Sequence, residues 1–310
     1  MQPHGATIVV SGRFRSALAG PLSLCLISAC GPGNATSLPG PSATAQPTDA
    51  PAATPHSSSP ITNSHVFLIV LENRDYPEAI SGSYTTKLAA HYGVATNYHG
   101  VAHPSLPNYL AITSGSTWGI TDDGFHALPA GGLGSQLTAA GITWRAYMEG
   151  MAGDCLRSGY PYALKHNPFP YFGSTCPRQV VPFSHFDVDM AGDVPRFVWI
   201  TPDLCHDGHD CSTAVADRWL QQTVPKILAT SAWQEDGLLL VTWDEGYGSG
   251  NHVLTLAIHP RPMFHTSNRR YDHYSLLATI EDRLGLLRLG QAARATAMDD
   301  LLVSWPRLRG

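Results

Sequence analysis

Val66-Phe-Leu-Ile-Val-Leu71 runs straight into Glu72-Asn73, and Leu238-Leu-Leu-Val-Thr-Trp243 runs straight into Asp244-Glu245. Short, almost unbroken apolar runs read as strands buried on both faces, as in parallel sheets. In an open α/β sheet, ligands bind beyond the carboxyl ends of the strands. If these two strands share a sheet, three carboxylates and an amide meet at one edge. Acids crowd together only at a cost unless a cation or a proton offsets their repulsion. A hydrolytic metal site is therefore the first functional expectation.

Outward from these runs, strands and helices alternate. Lys87–Tyr92 reads as helix and Val94–His99 as strand. A helix is expected over Ser105–Thr113, another around Leu133–Ala140, and strands over Thr143–Met148 and Phe197–Thr201. Ser212 is expected to cap a helix through Ala214–Val224, with Pro225 starting its next segment. Val253–Ile258 is a further strand. Tyr274–Leu284 is a final helix with Leu276, Leu277, Ile280 and Leu284 on one face. This βα alternation predicts a mainly parallel sheet flanked by helices, and no internal repeat interrupts it.

The chain has 310 residues, 43% hydrophobic and only 14% charged, with a net charge of −5. It is long enough for a substantial core, and its charge gives no nucleic-acid footprint. Arg13 and Arg15 precede the apolar stretch Ala17–Cys30, which reads as an export signal covering residues 1–30. Ile27-Ser-Ala-Cys30 resembles the bacterial lipobox, in which the cysteine (here Cys30) is lipidated; the other reading is an ordinary cleaved signal. The stretch is too short for a transmembrane anchor and contains Pro21. Residues 31–62, rich in Pro, Ser, Thr, Ala and Gly, read as a disordered tether, leaving 63–310 as the folded domain. The expected location is the bacterial cell surface through a lipid anchor, or otherwise the periplasm or the exterior. In such an oxidising compartment the remaining cysteines favour Cys155–Cys176 and Cys205–Cys211, since each pair closes a short local loop. A zinc site at Cys205, His206, His209 and Cys211 is too cramped in spacing.

Ser105 is the nucleophile candidate, because a helix N-terminus offers free N–H groups and the positive end of the dipole. It also suits a plain helix cap. His103 beside it is either a phosphate contact or a loop residue. Asp203 ends a strand and opens Leu204-Cys-His-Asp-Gly-His-Asp-Cys211, a loop suited to anion or metal binding, with His209 favoured over His206. Asp207 and Asp210 read equally well as turn residues held by the bridge. His166, in a Pro- and aromatic-rich loop, is either a phosphate ligand or structural. His252, His259 and His273 are weaker candidates.

Six motifs then occur in order: Glu72-Asn-Arg-Asp-Tyr, His103-Pro-Ser-Leu-Pro-Asn-Tyr, His166-Asn-Pro, Thr201-Pro-Asp-Leu-Cys-His-Asp-Gly-His-Asp, Trp243-Asp-Glu-Gly and His273-Tyr-Ser-Leu-Leu. Together, over roughly residues 64–287, they resemble the bacterial phosphoesterase family of acid phosphatases and phospholipases C, within the alkaline phosphatase superfamily. The resemblance implies a three-layer α/β/α sandwich and a divalent metal (Mg, Mn, Ca or Zn). It implies Glu72, Asn73, Ser105, Asp244 and Glu245 as metal ligands and Ser105 as nucleophile through a phosphoserine. It further implies Asn73, His103, His166 and His209 around the phosphoryl group, with Asp203 and His206 as secondary candidates. Many superfamily relatives carry Asp-His where this chain has Asp244-Glu245.

The expected activity is hydrolysis of small phosphate monoesters, with phospholipase C or another phosphodiesterase as the alternative. A non-catalytic surface binding lipoprotein is a third reading. A sulfatase-like enzyme is disfavoured, because Ser105-Leu-Pro-Asn lacks the arginine of the sulfatase maturation motif.

Overall fold

Both deciding runs are strands, and they lie side by side. In the computed structural model, which describes residues 64–261 and 265–302, Val66 to Leu71 pair in parallel with Leu238 to Trp243, residue for residue. Every residue of both runs is buried. Solvent is thus excluded from both faces of the sheet, as their near-continuous apolar composition requires. Truncating one of these side chains, such as Leu68→Ala, should cost about 2–5 kcal/mol.

In chain order the elements are β1 (Val66–Leu71), α1 (Tyr76–Ile80), α2 (Ser83–Ala89), β2 (Gly93–His99), α3 (Ser105–Ser114), α4 (Gly132–Ala139), β3 (Trp144–Met148) and β4 (Val180–Pro182). There follow α5 (Phe186–Ala191), β5 (Phe197–Thr201), α6 (Thr213–Leu228), α7 (Ser231–Asp236), β6 (Leu238–Trp243), β7 (His252–Ile258), β8 (His265–Ser267), β9 (Tyr271–Asp272) and α8 (His273–Leu284). The nine strands form one sheet in the order β4-β3-β5-β1-β6-β7-β2-β8, with β9 pairing to β2. All pairings are parallel except those of β7, which runs antiparallel to both β6 and β2. Helices α3, α4 and α8 pack as one group and α1, α2, α5, α6 and α7 as another. With the central strands buried on both faces, this is an α/β sandwich, as expected.

Three local readings need correction. The helix expected over Lys87–Tyr92 instead runs over Ser83–Ala89. Pro225 does not begin a new segment: α6 runs unbroken from Thr213 to Leu228 with the proline inside it. Ser212 holds the N-cap position, but its side chain makes no capping bond. The expected disulfides Cys155–Cys176 and Cys205–Cys211 are both formed. The export segment, Cys30 and the tether lie outside the described residues.

The helix carrying Ser105 is fastened at both ends. All ten residues of α3 are buried. At its carboxyl end Gly115 adopts φ +69, and a Cβ there would lie 2.2 Å from the Leu289 carbonyl oxygen, so only glycine fits. At its start, Asn108 Oδ1 accepts from the Val101 and Ala102 amides at 2.9 and 3.0 Å, and its Nδ2 donates to Ala102 O at 2.9 Å. That staple ties the loop after β2 to the first turn and sets where Ser105 emerges.

Candidate active site

Because Leu71 pairs with Trp243, the next residues, Glu72 and Asp244, leave the sheet side by side. The ladder continues past the strands: Asp244 N donates to Leu71 O at 2.9 Å, and Arg74 N to Glu245 O at 3.1 Å. Asn73, at φ 45, takes the left-handed conformation that asparagine tolerates, and its amide donates to Asp244 Oδ1 at 3.1 Å. Buried Arg74 holds this corner, donating to Asn73 O, Cys211 O and Tyr247 OH at 2.6, 2.7 and 2.9 Å.

Ser105 is the first residue of α3, with Pro104 at the cap position, so its hydroxyl is not spent on capping. It donates to Glu72 Oε2 at 3.0 Å, and Glu245 Oε1 lies 3.5 Å away. Tyr109, one turn along α3, donates to Glu72 Oε1. His103 hydrogen-bonds Glu245 Oε2 through Nδ1.

His166 is buried between two acids. Its Nε2 lies 3.2 Å from Glu72 Oε2, and its Nδ1 lies 3.2 Å from Asp207 Oδ2. The Tyr109 ring stacks on it at 5.4 Å. Asp207 is fully buried: the Glu72 amide donates to its carbonyl at 3.0 Å and the His209 amide to its Oδ1 at 2.7 Å. The Cys205–Cys211 loop thereby folds over the end of β1. His209 sits beyond His166, ring centroids 5.6 Å apart, with Nδ1 on Asp210 Oδ1 at 2.7 Å. Lys165 Nζ lies 3.3 Å from His209 Nε2 and 2.9 Å from Asp123 Oδ2, while Asp123 Oδ1 accepts the Leu106 amide in the first turn of α3.

The acids report their crowding. Burial, then the charges of Asp244 and Asp207, push Glu72 well above the carboxylate range. Burial pushes Asp207 to about 8, and burial with the Glu245 charge pushes Asp244 to about 7. Glu245 rises to about 7, chiefly by burial and then by the Asp123 charge. Burial drives His166 well below its usual value, and the Lys165 charge adds to this. Burial pulls Lys165 down, but the Asp123 bond and the charges of Glu72 and Asp244 raise it overall.

The residues fit a divalent cation. Asp244 Oδ2 and Asp207 Oδ2 are buried oxygens that accept no well-formed hydrogen bond among the described residues, Asp207 Oδ2 having only the 3.2 Å ion-pair contact with His166 Nδ1. Under-satisfied anionic oxygens in a dry site are what a hard cation satisfies. Glu72, His166 and Asp207 place one ligand atom each within 4.8 Å of one another. Of the residues expected from the sequence, Glu72, Asn73, Ser105, Asp244, Glu245, His103, His166 and His209 are brought together. Asp203 and His206 are not: Asp203 N donates to Glu149 Oε2 at 3.1 Å and His206 Nδ1 contacts the same atom at 3.0 Å. Glu149 follows β3 as Asp203 follows β5, and Met148 pairs with Thr201, so these acids meet two strands along the edge. Sequence reasoning passed over Tyr109 and Lys165 and left Asp207 open between a ligand loop and a turn. The signal for Tyr109 was its spacing of four from Ser105, one helical turn.

Residues 78–287 match the phosphoesterase family. A phosphatidylinositol-3-phosphatase of Mycobacterium tuberculosis is 34% identical over 254 residues, covering 77% of this chain and 83% of that protein. A phosphate-repressible acid phosphatase of Penicillium chrysogenum is 31% identical over 270 residues, covering 78% of this chain, which spans only 66% of that relative's length. Among solved structures, a protein in the alkaline phosphatase superfamily from Vibrio parahaemolyticus superposes with a TM-score of 0.56 at 12% identity, covering 78% of this chain and 72% of that one. That likeness is one of fold. On the sequence match and the shared architecture, the chain belongs to the phosphoesterase family, a family of phosphoric-ester hydrolases.

Proposed function

We propose that this chain is a metal-dependent phosphomonoesterase in which Ser105 is the nucleophile. The observation that carries the reading is the Ser105 hydroxyl, free of capping duty at the start of a buried helix and 3.0 Å from Glu72 Oε2. Glu72, Asn73, Asp244, Glu245 and Ser105 would hold the cation, with Asp207 near enough to share it. When bound, it lowers the pKa of a coordinated hydroxyl and neutralises phosphoryl charge. Ser105 gives up its hydroxyl proton to water, its Oγ attacks phosphorus and the alcohol leaves in line, giving a phosphoserine. Lys165 faces the equatorial oxygens and offsets their charge, while His166, set between Glu72 and Asp207, holds those acids in place. His209, partly exposed and with Nδ1 on Asp210 Oδ1, protonates the departing alcohol. Water then hydrolyses the phosphoserine and restores Ser105.

The relatives' names favour monoesters over the phosphodiester reading, since both are phosphatases. Two disulfides suit an exported protein, in line with the signal and lipid anchor proposed at Cys30. No helix among the described residues is long and apolar enough to cross a membrane.

The test is hydrolysis of p-nitrophenyl phosphate and of p-nitrophenylphosphorylcholine by full-length wild type and Ser105→Ala. Both are treated with EDTA, then supplied with Mg²⁺, Mn²⁺, Ca²⁺ or Zn²⁺. Metal-restored monoester hydrolysis that Ser105→Ala abolishes is expected. Preference for the choline ester would move the assignment to phosphodiesters. A Ser105→Ala protein retaining most of its activity would sink the nucleophile.

A further inference from the structure

Beside the Ser105 centre the surface opens into a groove of about 500 Å³. Lys165 and His209 line it, so it is continuous with the groups proposed to act on the phosphate ester. Asp123, paired with Lys165, also borders it, and four rings, Phe125, Tyr160, Tyr162 and Tyr171, make up much of the remaining wall. Phe125 and Tyr160 are 48% and 74% exposed. Two large rings open to water on the lining of one groove give it exposed apolar area of the kind that marks binding sites. The Phe125 ring lies 5.1 Å from that of buried Tyr171, so it is backed by packing. Tyr162 donates to Cys155 O at 2.7 Å and accepts from Asn167 at 2.9 Å, which fixes its ring in the wall.

We propose that this groove receives the leaving-group alcohol of the phosphomonoester and selects a flat aromatic one, with Phe125 and Tyr160 as specificity-determining residues. The inference rests on the phosphomonoesterase reading above. In an in-line displacement the leaving oxygen departs on the side away from the nucleophile. From Ser105 the polar groups run through Glu72 to His166 at 3.2 Å and on to His209, whose ring borders the groove. An alcohol leaving past His209 therefore enters an aromatic slot. The volume is in the range of small-molecule sites and holds a one- or two-ring aromatic. Ring walls favour such a group through stacked and edge contacts that a small polyol does not make.

Full-length wild type, Phe125→Ala, Tyr160→Ala and the double variant would be assayed, metal-replenished, on 2-naphthyl phosphate, glycerol 2-phosphate and myo-inositol 1-phosphate. Binding of 2-naphthol would be followed by equilibrium dialysis. Each single variant should lose about tenfold in kcat/KM on the naphthyl ester, chiefly through KM, with less than about twofold change on glycerol 2-phosphate. Naphthol binding should weaken in parallel. A wild type that cleaves glycerol 2-phosphate, with variants that show no selective loss on the naphthyl ester, overturns the groove and leaves the phosphomonoesterase reading standing. Greater loss on the inositol ester than on the naphthyl ester overturns the aromatic assignment in favour of a cyclic polyol. Equal loss on all three esters assigns the rings to folding and overturns it as well. The binding measurement needs no turnover. Naphthol bound by an inactive wild type and released by Phe125→Ala supports the groove while refuting the phosphomonoesterase reading. No naphthol binding by the wild type overturns the groove.

Discussion

Replacing Asp207 with asparagine separates what the buried acid does for the site from what it costs the fold. The His209 amide donates to Asp207 Oδ1 at 2.7 Å, and an asparagine must keep its oxygen there. The amide nitrogen then faces His166 Nδ1, which lies 3.2 Å from Asp207 Oδ2 in the native protein. His166 must accept at Nδ1 and carry its proton on Nε2, towards Glu72 Oε2 at 3.2 Å. Losing the acid behind a site histidine typically costs about 10- to 100-fold in activity. At 1.36 kcal/mol per tenfold this is roughly 1.4–2.7 kcal/mol of transition-state stabilisation. Stability should move the other way. Burial raises the Asp207 pKa from 3.8 to about 8 in the folded protein. The folded state therefore holds a proton that the unfolded chain releases, and stability is lost as pH rises through that window. Asparagine does not titrate, so Asp207→Asn escapes the loss. After the lost contact with His166 is set against it, the net gain at pH 8 is about 2 kcal/mol, or roughly 4–8 °C in Tm. The gain should shrink as pH falls and turn into a net loss near pH 4, where Asp207 no longer titrates and only the lost contact with His166 remains. Steady-state kinetics with metal, and calorimetry in EDTA at pH 5 and pH 8, read both effects. Unchanged activity would refute the orienting role, and a Tm that falls at pH 8 would refute the electrostatic account.

Three further outcomes are expected. Adding a divalent cation to EDTA-treated protein at about pH 6.5 should release protons, because Asp244 and Glu245 titrate near 7 and Asp207 near 8 without metal. Calorimetric titration in two buffers of different ionisation enthalpy measures this, and identical heats would rule it out. Burial raises Glu281, away from the site, to about 8, so the metal-free wild type should lose stability as pH climbs from about 4.5 to 8. Glu281→Gln should flatten that slope in Tm measured against pH, and an unaltered slope would place its origin elsewhere. Gly115→Ala should destabilise by about 2–4 kcal/mol, since φ +69 is strained for alanine and the added Cβ meets the Leu289 carbonyl at 2.2 Å. Denaturant unfolding checks it, and a midpoint within error of wild type would mean that the end of α3 is not held as described.

Much of this protein is written in short-range pattern. The two deciding runs, the start of α3 at Ser105 and the alternation around them depend on local periodicity and punctuation, so they are legible before any contact is known. Both disulfides close loops short enough to infer from spacing. The paired acids Glu72 and Asp244 were placed at one edge because strand ends can be read without knowing strand neighbours. Only the tertiary structure decided that β1 and β6 are adjacent and in register, and that β7 runs antiparallel between β6 and β2. Strands β8 and β9, three and two residues long, are too short to carry a period. Asp207 shows the limit most clearly. In sequence it is one more acid in a glycine-containing loop, with the same neighbours a turn would have. Its burial arises because the loop after β5 closes over the end of β1, where the Glu72 amide binds its carbonyl. Lys165 and Tyr109 likewise join the centre through partners more than thirty residues away. A residue's local conformational preference is encoded in its neighbours along the chain. Its burial, its charge environment and therefore its chemistry are set by groups that meet it only when the sheet has closed.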